Sequence, residues 1–361
     1  MVTTTVSPPD PSAHPPASAS GQASGHGPTD RLETAAVAVR RFWQSDRISS
    51  LVVRRALGAI PLLFVVSVAA FALTLLLPGN PAVAIAGQNP TAAQIAQASK
   101  LLHLTQPIPV RYWDWLVNVL HGDFGTSVQT GQSVGGQILA RAPITLSIAI
   151  GALIVAAVVG TLVGIVQARF AGRLIDRVLL FFVSIGLAIP NFWLAALLVS
   201  LFAVDLNWFP AIGYVSPSTS VGSWLHTLIL PVVTLAVYPG AEMARQIRNG
   251  LVGVFEHDYM RAARARGMGS FRLVGKHALR NAAMPAITIL GLRVGYLIAG
   301  SVVIESIFVI PGLGAYTLQA ISARDAGVIQ AIVLLSAVIM VTTNLLVDIV
   351  ESLMNPKVRI R

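Results

Sequence analysis

The sequence predicts an all-α polytopic membrane protein with six transmembrane helices. Of its 361 residues, 55% are hydrophobic and only 11% are charged, whereas soluble domains contain about 25% charged residues. The mean hydropathy is +0.72, and several apolar windows reach the roughly 20 residues that a helix needs to cross a bilayer. Because lipid offers no hydrogen-bond partner to backbone groups, each window is predicted to be helical, and the lipid bilayer is the first predicted partner.

Residues 1–50 are predicted to stand apart from the membrane domain. Residues 1–30 consist mostly of Pro, Ser, Ala, Thr and Gly, which cannot bury enough apolar surface to become ordered. Residues 31–42 form a basic segment that suits either the membrane surface or a longer disordered tail. The membrane domain is predicted over residues 51–361. Its spans are predicted near residues 52–77, 144–168, 178–203, 225–243, 283–304 and 329–353.

The basic residues predict the orientation of these spans. Twenty of the 25 Lys and Arg residues lie before or at the very start of the first span, after the second, after the fourth or after the sixth. The positive-inside rule assigns this side to the cytoplasm, so both termini are predicted to be cytoplasmic. The long first outside loop, predicted over residues 78–143, contains a helix-like run at 91–104 and an aromatic group at Tyr112, Trp113 and Trp115.

The chain contains prolines within its predicted spans. Pro190 lies in the third span, and Pro231 and Pro239 lie in the fourth. Proline lacks the backbone donor of a helix interior and clashes with the preceding turn, so kinks are predicted at these positions.

No energy source for transport is found in the sequence. The lysines are Lys100, Lys276 and Lys357, and none of them stands in the Gly-Lys-[Ser/Thr] pattern of a phosphate-binding loop. The seven histidines have no metal-ligand spacing, and the absence of cysteine excludes disulfides and thiolate chemistry. An enzyme is therefore not expected, and neither a metal nor a cofactor is predicted in this chain. The net charge of +10 is explained by orientation, so no nucleic-acid partner is predicted.

Ion coupling is disfavoured by the placement of the acidic residues. The sequence places Glu242 near the cytoplasmic end of a span and Glu305 near an outer end, with no carboxylate near a span centre. An ion-coupled secondary transporter that acts alone remains the alternative, and a non-transporting membrane scaffold is a third class.

The loop between the fourth and fifth spans, predicted over residues 244–282, is strongly basic. Asp258 is a candidate N-cap and Gly267 a candidate C-terminal stop, so a short helix is predicted between them. The residues alone leave two interpretations open, a surface for anionic lipid head groups and a contact for a partner protein. The basic side chains of the segment are Arg261, Arg264, Arg266, Arg272, Lys276 and Arg280.

Arg293 is the only charge predicted deep within a span. An arginine at that depth costs about 2.5–3.5 kcal/mol on insertion scales, so it should face a polar partner or a pore. Two interpretations are open: Arg293 lines the translocation path and favours carboxylate-bearing substrates, or it pairs structurally with a group such as Glu242.

Several stretches resemble a known family. The pattern Ala262-Ala263-(x3)-Gly267-(x17)-Pro285 resembles the "EAA" loop of ABC importer permeases, with Arg261 where many members have glutamate. The segment from Asp258 to Gly267, followed by His277-Ala-Leu-Arg-Asn281, resembles the version found in dipeptide, oligopeptide and nickel importer permeases. Further stretches resemble the B-type subunit of that group: Leu77-Pro-Gly-Asn-Pro81, Gly122-Asp-Phe-Gly-Thr-Ser127, Pro190-Asn-Phe-Trp193, Leu230-Pro-Val-Val-Thr-Leu235, Glu305-Ser-Ile-Phe308 and Pro311-Gly-Leu-Gly314.

This resemblance implies a type I ABC importer permease fold in a bacterial plasma membrane. The chain would form a heterodimer with a C-type permease above two cytoplasmic ATPase subunits, which would bind the ATP. An extracytoplasmic solute-binding protein would deliver a peptide or a related small solute. The helix at residues 258–266 would dock on an ATPase. The residues implied in this coupling are Asp258, Tyr259, Arg261, Ala262, Ala263, Arg264 and Gly267.

Overall fold

Long apolar helices form most of the structure, a computed structural model that describes residues 48–76, 82–83, 90–101, 104–255, 258, 260, 266 and 279–354. All of these belong to one unit, Asp46–Arg361. The helices are α1 (Ile48–Leu76), α2 (Ala92–Leu101), α3 (Ile108–Leu120), α4 (Val134–Arg169), α5 (Leu174–Ala188), α6 (Asn191–Leu198), α7 (Val221–Phe255), α8 (Leu279–Ile307), α9 (Leu313–Ala323) and α10 (Ala326–Met354). A π-helical segment, Val199–Asp205, continues α6.

The predicted number of spans agrees with these helices. Within the described residues, five helices are long and apolar enough to cross a membrane, namely α1, α4, α7, α8 and α10. A sixth span results if α5 and α6 with its π-helical continuation are taken as one bent span. The described residues contain no β-strand beyond an isolated bridge between Thr126 and Ser133.

The third predicted span is broken at Pro190. Helices α5 and α6 meet there at an angle of 111°. Ile189 and Pro190 both have extended backbones, with ψ values of 127° and 137°. A proline disfavours the helical conformation of the residue before it, which is why the break falls at this pair. In contrast, α7 runs through Pro231 and Pro239 as one helix.

Two helices extend well beyond the predicted spans. Helix α4 begins at Val134, ten residues before the predicted start, and Ser133 caps it by accepting a hydrogen bond from the Gly136 amide. Helix α7 continues to Phe255, although the predicted fourth span ends at residue 243. Hydropathy detects apolar windows, whereas the helical backbone continues into the polar segments that flank them. Glu242 therefore lies inside α7 and not at its end.

The outside loop contains both features predicted for it. The helix-like run at 91–104 forms α2, and the aromatic group lies on α3. Tyr112 packs against Phe71 of α1 with ring centroids 5.5 Å apart, and its hydroxyl lies 2.7 Å from the Ser67 hydroxyl. Trp115 also contacts Phe71, at 5.8 Å, whereas Trp113 is 61% exposed. These contacts fix α3 against the first span.

Helices α4 and α7 pack closely through small residues. A Cβ atom added at Gly160 would lie 2.5 Å from the Gly240 carbonyl oxygen and 2.7 Å from the Met243 Cβ. A Cβ at Gly164 would lie 2.7 Å from the Ala244 carbonyl oxygen. In lipid, helices associate by van der Waals packing, and small residues allow their backbones to approach. Gly160 and Gly164 are thus required by the neighbouring backbone of α7.

We expect Gly160→Leu to destabilise the protein, because the added side chain must push α4 away from α7. Overpacking of this kind typically costs about 1–3 kcal/mol. The apparent Tm of the detergent-solubilised protein should fall. Gly58→Leu is the matched control, because a Cβ at Gly58 of α1 meets nothing within 4 Å. Equal Tm values for the two variants would contradict the packing interpretation.

Candidate functional site

The predicted ATPase-coupling segment is only partly described. Asp258 is helical and exposed, and Arg266 is exposed in a turn. The other predicted coupling residues lie outside the described residues, and their roles stay predictions. These are Tyr259, Arg261, Ala262, Ala263, Arg264 and Gly267.

Met260 connects this segment to the membrane helices. Its side chain is fully buried, at 0% exposure. It packs in a cluster whose other buried members come from three spans: Ala168 of α4, Met243, Ile247 and Leu251 of α7, and Ala286 of α8. Sequence reasoning missed Met260 because it concentrated on charges and small residues. The available signal was a flexible apolar side chain within an otherwise basic segment.

A buried ion pair joins α5 to α7 near the same end of the helices. Arg248 donates to both carboxylate oxygens of Asp176, at 2.8 and 2.7 Å. The Asp176 carboxylate also accepts a hydrogen bond from the Gly172 amide at 2.9 Å, and the residue is 1% exposed. A bidentate pair fixes direction as well as distance. It therefore ties the start of α5 to the part of α7 beyond residue 243, which the sequence predicts to be a cytoplasmic loop.

Arg293 pairs with Glu242. Its Nε and Nη2 atoms donate to the two Glu242 carboxylate oxygens at 2.6 and 2.7 Å. The guanidinium also lies 5.4 Å from the centroid of the Tyr238 ring. The pairing with Glu242, one of the two interpretations left open for Arg293, is therefore observed, whereas the position of Glu242 relative to the span centre stays a prediction. A role for Arg293 in the translocation path stays a prediction, because pairing and lining are compatible.

At the opposite end of α8, Glu305 holds the start of α9. Glu305 is fully buried, accepting hydrogen bonds from the Thr145 hydroxyl at 2.6 Å and the Ala315 amide at 3.0 Å. The Thr145 hydroxyl in turn accepts from the Leu313 amide at 2.8 Å. The first N–H groups of a helix have no partner within the helix, and a carboxylate is favourable there. One network thus joins α4, α8 and α9.

The glycines of Pro311-Gly-Leu-Gly314 are explained by this network. A Cβ atom at Gly312 would clash with the Glu305 carboxylate. A Cβ at Gly314 would lie 2.5 Å from the Val302 Cα and 2.9 Å from Glu305 Oε2. The family-like stretch Pro311-Gly-Leu-Gly314 therefore packs directly against a buried carboxylate.

The outside loop is anchored to the same region. The Ser127 hydroxyl donates to Asp325 at 2.6 Å, immediately before α10. Arg141 of α4 lies 4.7 Å from the centroid of the Tyr316 ring of α9. Burial raises the pKa of the Tyr316 hydroxyl, and the nearby Asp325 charge raises it further. Tyr316 therefore stays neutral at physiological pH. Helix α9 is held by Arg141 of α4 through this ring and by Glu305 of α8 at its start.

These features define a helical membrane domain. Segments at both ends of its helices are bound to the spans, an organisation that suits a transport permease. Within the described residues, no group of three His, Cys, Asp or Glu side chains could hold a metal ion.

Comparison with known proteins identifies the family. The family model described as "binding-protein-dependent transport system inner membrane component" matches residues 160–360, and the model of its N-terminal part matches residues 48–149. The chain belongs to this family. It is a multi-pass inner-membrane permease component of an ABC importer, which confirms the family recognised from the sequence.

Two relatives match almost over their full length. The chain is 38% identical over 312 residues to a protein of Brucella abortus (strain 2308) named as a peptide transport system permease, a match covering 86% of this chain and 99% of the relative. It is 41% identical over 308 residues to the glutathione transport system permease of Salmonella choleraesuis (strain SC-B67), a match covering 85% and 98% of the two chains.

A solved structure confirms the fold. The inward-facing methionine ABC transporter MetNI contains a chain with a TM-score of 0.50 and 19% sequence identity, and the match covers 60% of this chain and 96% of that chain. The predicted all-α permease fold is therefore confirmed at the level of architecture.

We expect Thr145→Val to destabilise α9, because it removes the hydroxyl that bridges Glu305 and the Leu313 amide while conserving shape. A buried group left without its partner costs about 1–3 kcal/mol. The variant should show a lower apparent Tm and faster proteolysis near α9.

Ser147→Ala is the control for Thr145→Val. It removes a hydroxyl of the same helix that donates only locally, to the Pro143 carbonyl oxygen at 2.6 Å. A Thr145→Val protein as stable and as protease-resistant as Ser147→Ala would contradict the role of this network.

Proposed function

We propose that this permease imports peptides, powered by ATP bound to partner subunits, with both of its termini in the cytoplasm. The peptide substrate is supported by the two relatives, one named for peptide transport and one for glutathione, itself a tripeptide. The cytoplasmic assignment of the termini is supported by the distribution of basic residues and the positive-inside rule.

The observation that carries this proposal is the burial of Met260. The segment that resembles the ATPase-docking helix is anchored by this side chain in a cluster shared by α4, α7 and α8. A movement of the segment is therefore transmitted to three spans at once, because a packed cluster resists shear. A basic segment that only touched lipid head groups would not require an apolar anchor between spans.

Transport then follows from coupled rigid-body movements. Two ATPase subunits close when they bind ATP and move the docked helix at residues 258–266. Met260 passes this displacement to the ends of α4, α7 and α8, which tilt and exchange inward-facing and outward-facing states. In this mechanism Tyr259 and Arg264 anchor the helix on the ATPase, whereas Ala262, Ala263 and Gly267 permit close approach. Asp258 belongs to the docked helix itself, because its backbone is helical and not that of the predicted N-cap, and Arg261 stands where many family members have glutamate.

Two further partners complete the proposed assembly, one on the outside face of this chain and one beside it in the membrane. A solute-binding protein delivers the peptide from outside, in keeping with the binding-protein-dependent family. A homologous C-type permease completes the membrane domain. The Glu305 and Asp325 networks hold α9 and the outside loop as a firm outer surface on which the binding protein can release its cargo.

Gentle solubilisation of the tagged chain from its native membranes tests this assembly. We expect a second six-span permease and ATPase subunits to co-purify, with ATP hydrolysis in the eluate. Proteoliposomes of the complex should take up labelled trialanine only with ATP and the binding protein. Uptake by this chain alone, without ATP and sensitive to ionophores, would show an ion-coupled carrier instead.

We expect Met260→Ala to uncouple the importer, because the truncated side chain leaves a cavity between the docked segment and the spans. Truncation of a buried methionine typically costs about 2–5 kcal/mol of packing energy. Peptide imported per ATP hydrolysed should fall severalfold, while ATP hydrolysis continues. The measurement compares uptake and hydrolysis in the same proteoliposomes.

Met340→Ala is the matched control, since Met340 of α10 is 52% exposed. Size-exclusion chromatography of both variants reports assembly. An unchanged ratio of import to hydrolysis in a correctly assembled Met260→Ala complex would rule out this route of coupling.

A further inference from the structure

Five polar or aromatic residues meet near the middle of α7 and α8, beside the break in the third span. Arg293 is the middle residue of the 29-residue α8, and Tyr238 is the middle residue of the 35-residue α7. Glu242 lies one turn beyond Tyr238, and Tyr296 lies one turn beyond Arg293. Asn191 begins α6 at the break of the third span. We call these residues the mid-span cluster.

The members of the mid-span cluster contact one another across three helices. The rings of Tyr238 and Tyr296 lie 5.1 Å apart, and the Asn191 side-chain amide donates to the Tyr296 hydroxyl at 3.2 Å. Arg293 lies over the Tyr238 ring and pairs with Glu242. The cluster is thus an ordered arrangement and not a set of isolated polar residues.

The ion pair is exposed on one side only. The side chain of Glu242 is 10% exposed, whereas that of Arg293 is 32% exposed. Tyr296 is 36% exposed, and Leu292, one turn before it on the same face of α8, is 59% exposed. A guanidinium exposed at mid-span is unfavourable against lipid and favourable against a water-filled cavity. The exposed side of the cluster therefore suits a passage.

The break at Pro190 points to the same face. Non-helical backbone at membrane depth is tolerated where it is buried in protein or lines a water-filled cavity. Ile189 and Pro190 are extended there, and Asn191 directs its amide to Tyr296. Two independent features, a charged pair and a broken span, thus converge on one place.

We propose that Arg293, Tyr296 and Asn191 form a contact site, within the translocation passage, for the carboxylate group of a peptide. This proposal rests on the proposed import of peptides and adds the group that is recognised. Arginine has five N–H donors, of which Glu242 accepts two, so the remaining donors can bind a carboxylate in the fork geometry. Glu242 is too buried to meet substrate and acts as a positioning residue that orients the guanidinium.

The aromatic and amide groups complete the recognition. The Tyr296 ring offers an amphipathic surface for the apolar parts of a peptide, and the Asn191 amide can bind a peptide carbonyl group. A site that holds its ligand weakly suits a passage, because the peptide must leave again toward the cytoplasm.

Cysteine labelling tests this site directly, because the chain has no native cysteine. Leu292→Cys places a reporter beside the site without altering it. Ile154→Cys is the control, since Ile154 is 58% exposed on α4 within an apolar stripe that also includes Ile150, Val158 and Leu162. The assembled importer is studied in inverted membrane vesicles without ATP, so that peptide reaches the passage without the binding protein.

A small anionic thiol reagent should label Leu292→Cys and not Ile154→Cys. Trialanine and N-acetyl-trialanine should slow the labelling, whereas trialanine amide, which lacks the carboxylate, should require at least about tenfold higher concentration for equal protection. Adding Arg293→Gln should abolish the difference between the acid and the amide. Adding Arg55→Gln should preserve it, since Arg55 forms its ion pair with Asp348 elsewhere, between α1 and α10.

Each contrary result overturns the proposal. An unlabelled Leu292→Cys, alongside a labelled Ala171→Cys in the exposed turn between α4 and α5 on the predicted cytoplasmic side, would show that lipid or the partner permease covers the cluster. Labelling without protection, or equal protection by acid and amide, would exclude carboxylate recognition. If Arg293→Gln fails to assemble, Arg293→Lys keeps the charge but loses the fork, and it should weaken the preference for the acid.

Uptake driven by ATP in right-side-out vesicles separates this site from the proposed function. Trialanine uptake by the unmodified importer, combined with no protection of Leu292→Cys, would leave peptide import intact and remove the contact site. Absence of ATP-driven uptake of any peptide would instead remove the proposed function on which the site rests.

Discussion

The close packing of α4 against α7 is the contact on which the functional groups of this permease depend. Gly160 and Gly164 allow the backbones to approach so closely that any side chain there would meet a carbonyl oxygen. Helix α7 then carries Tyr238, Glu242 and Arg248, and α4 carries Thr145 toward the other end. Because lipid provides no hydrophobic driving force between helices, this backbone approach is what positions the polar groups.

Each end of the helix assembly is joined to its spans by a different physical means. Near the basic loop the connection is apolar, through Met260 and its cluster, with the bidentate pair of Asp176 and Arg248 beside it. At the end that the sequence places outside, the connection is a hydrogen-bond network centred on Glu305. Apolar packing tolerates small rotations of the helices, whereas a satisfied buried network favours one arrangement. This difference suits an end near the basic loop that the ATPase subunits would move, and an outside end whose helices must keep their relative positions.

Much of the fold follows from local properties of the sequence. Apolar windows near 20 residues predict spans because hydrophobicity is a sum over neighbouring residues. Pro190 predicted a kink in the third span, where the structure has a break. The extent of α4 and α7 was not predicted, since the polar residues that end a hydropathy window can still continue a helix. Coupling residues such as Ala263 and Gly267 came from the family pattern, and Met260 was missed because its role depends on burial.

The sequence alone determined the membrane class, the number of apolar windows, the family and the absence of a phosphate-binding loop, because each is read from composition or from short motifs. Only the tertiary structure decided which polar groups meet. Arg293 and Glu242 are 51 residues apart in the chain, and Thr145 and Glu305 are 160 residues apart. Such pairs form because helix packing brings distant segments to one depth, where a charge or a helix end without a partner would be too costly to bury.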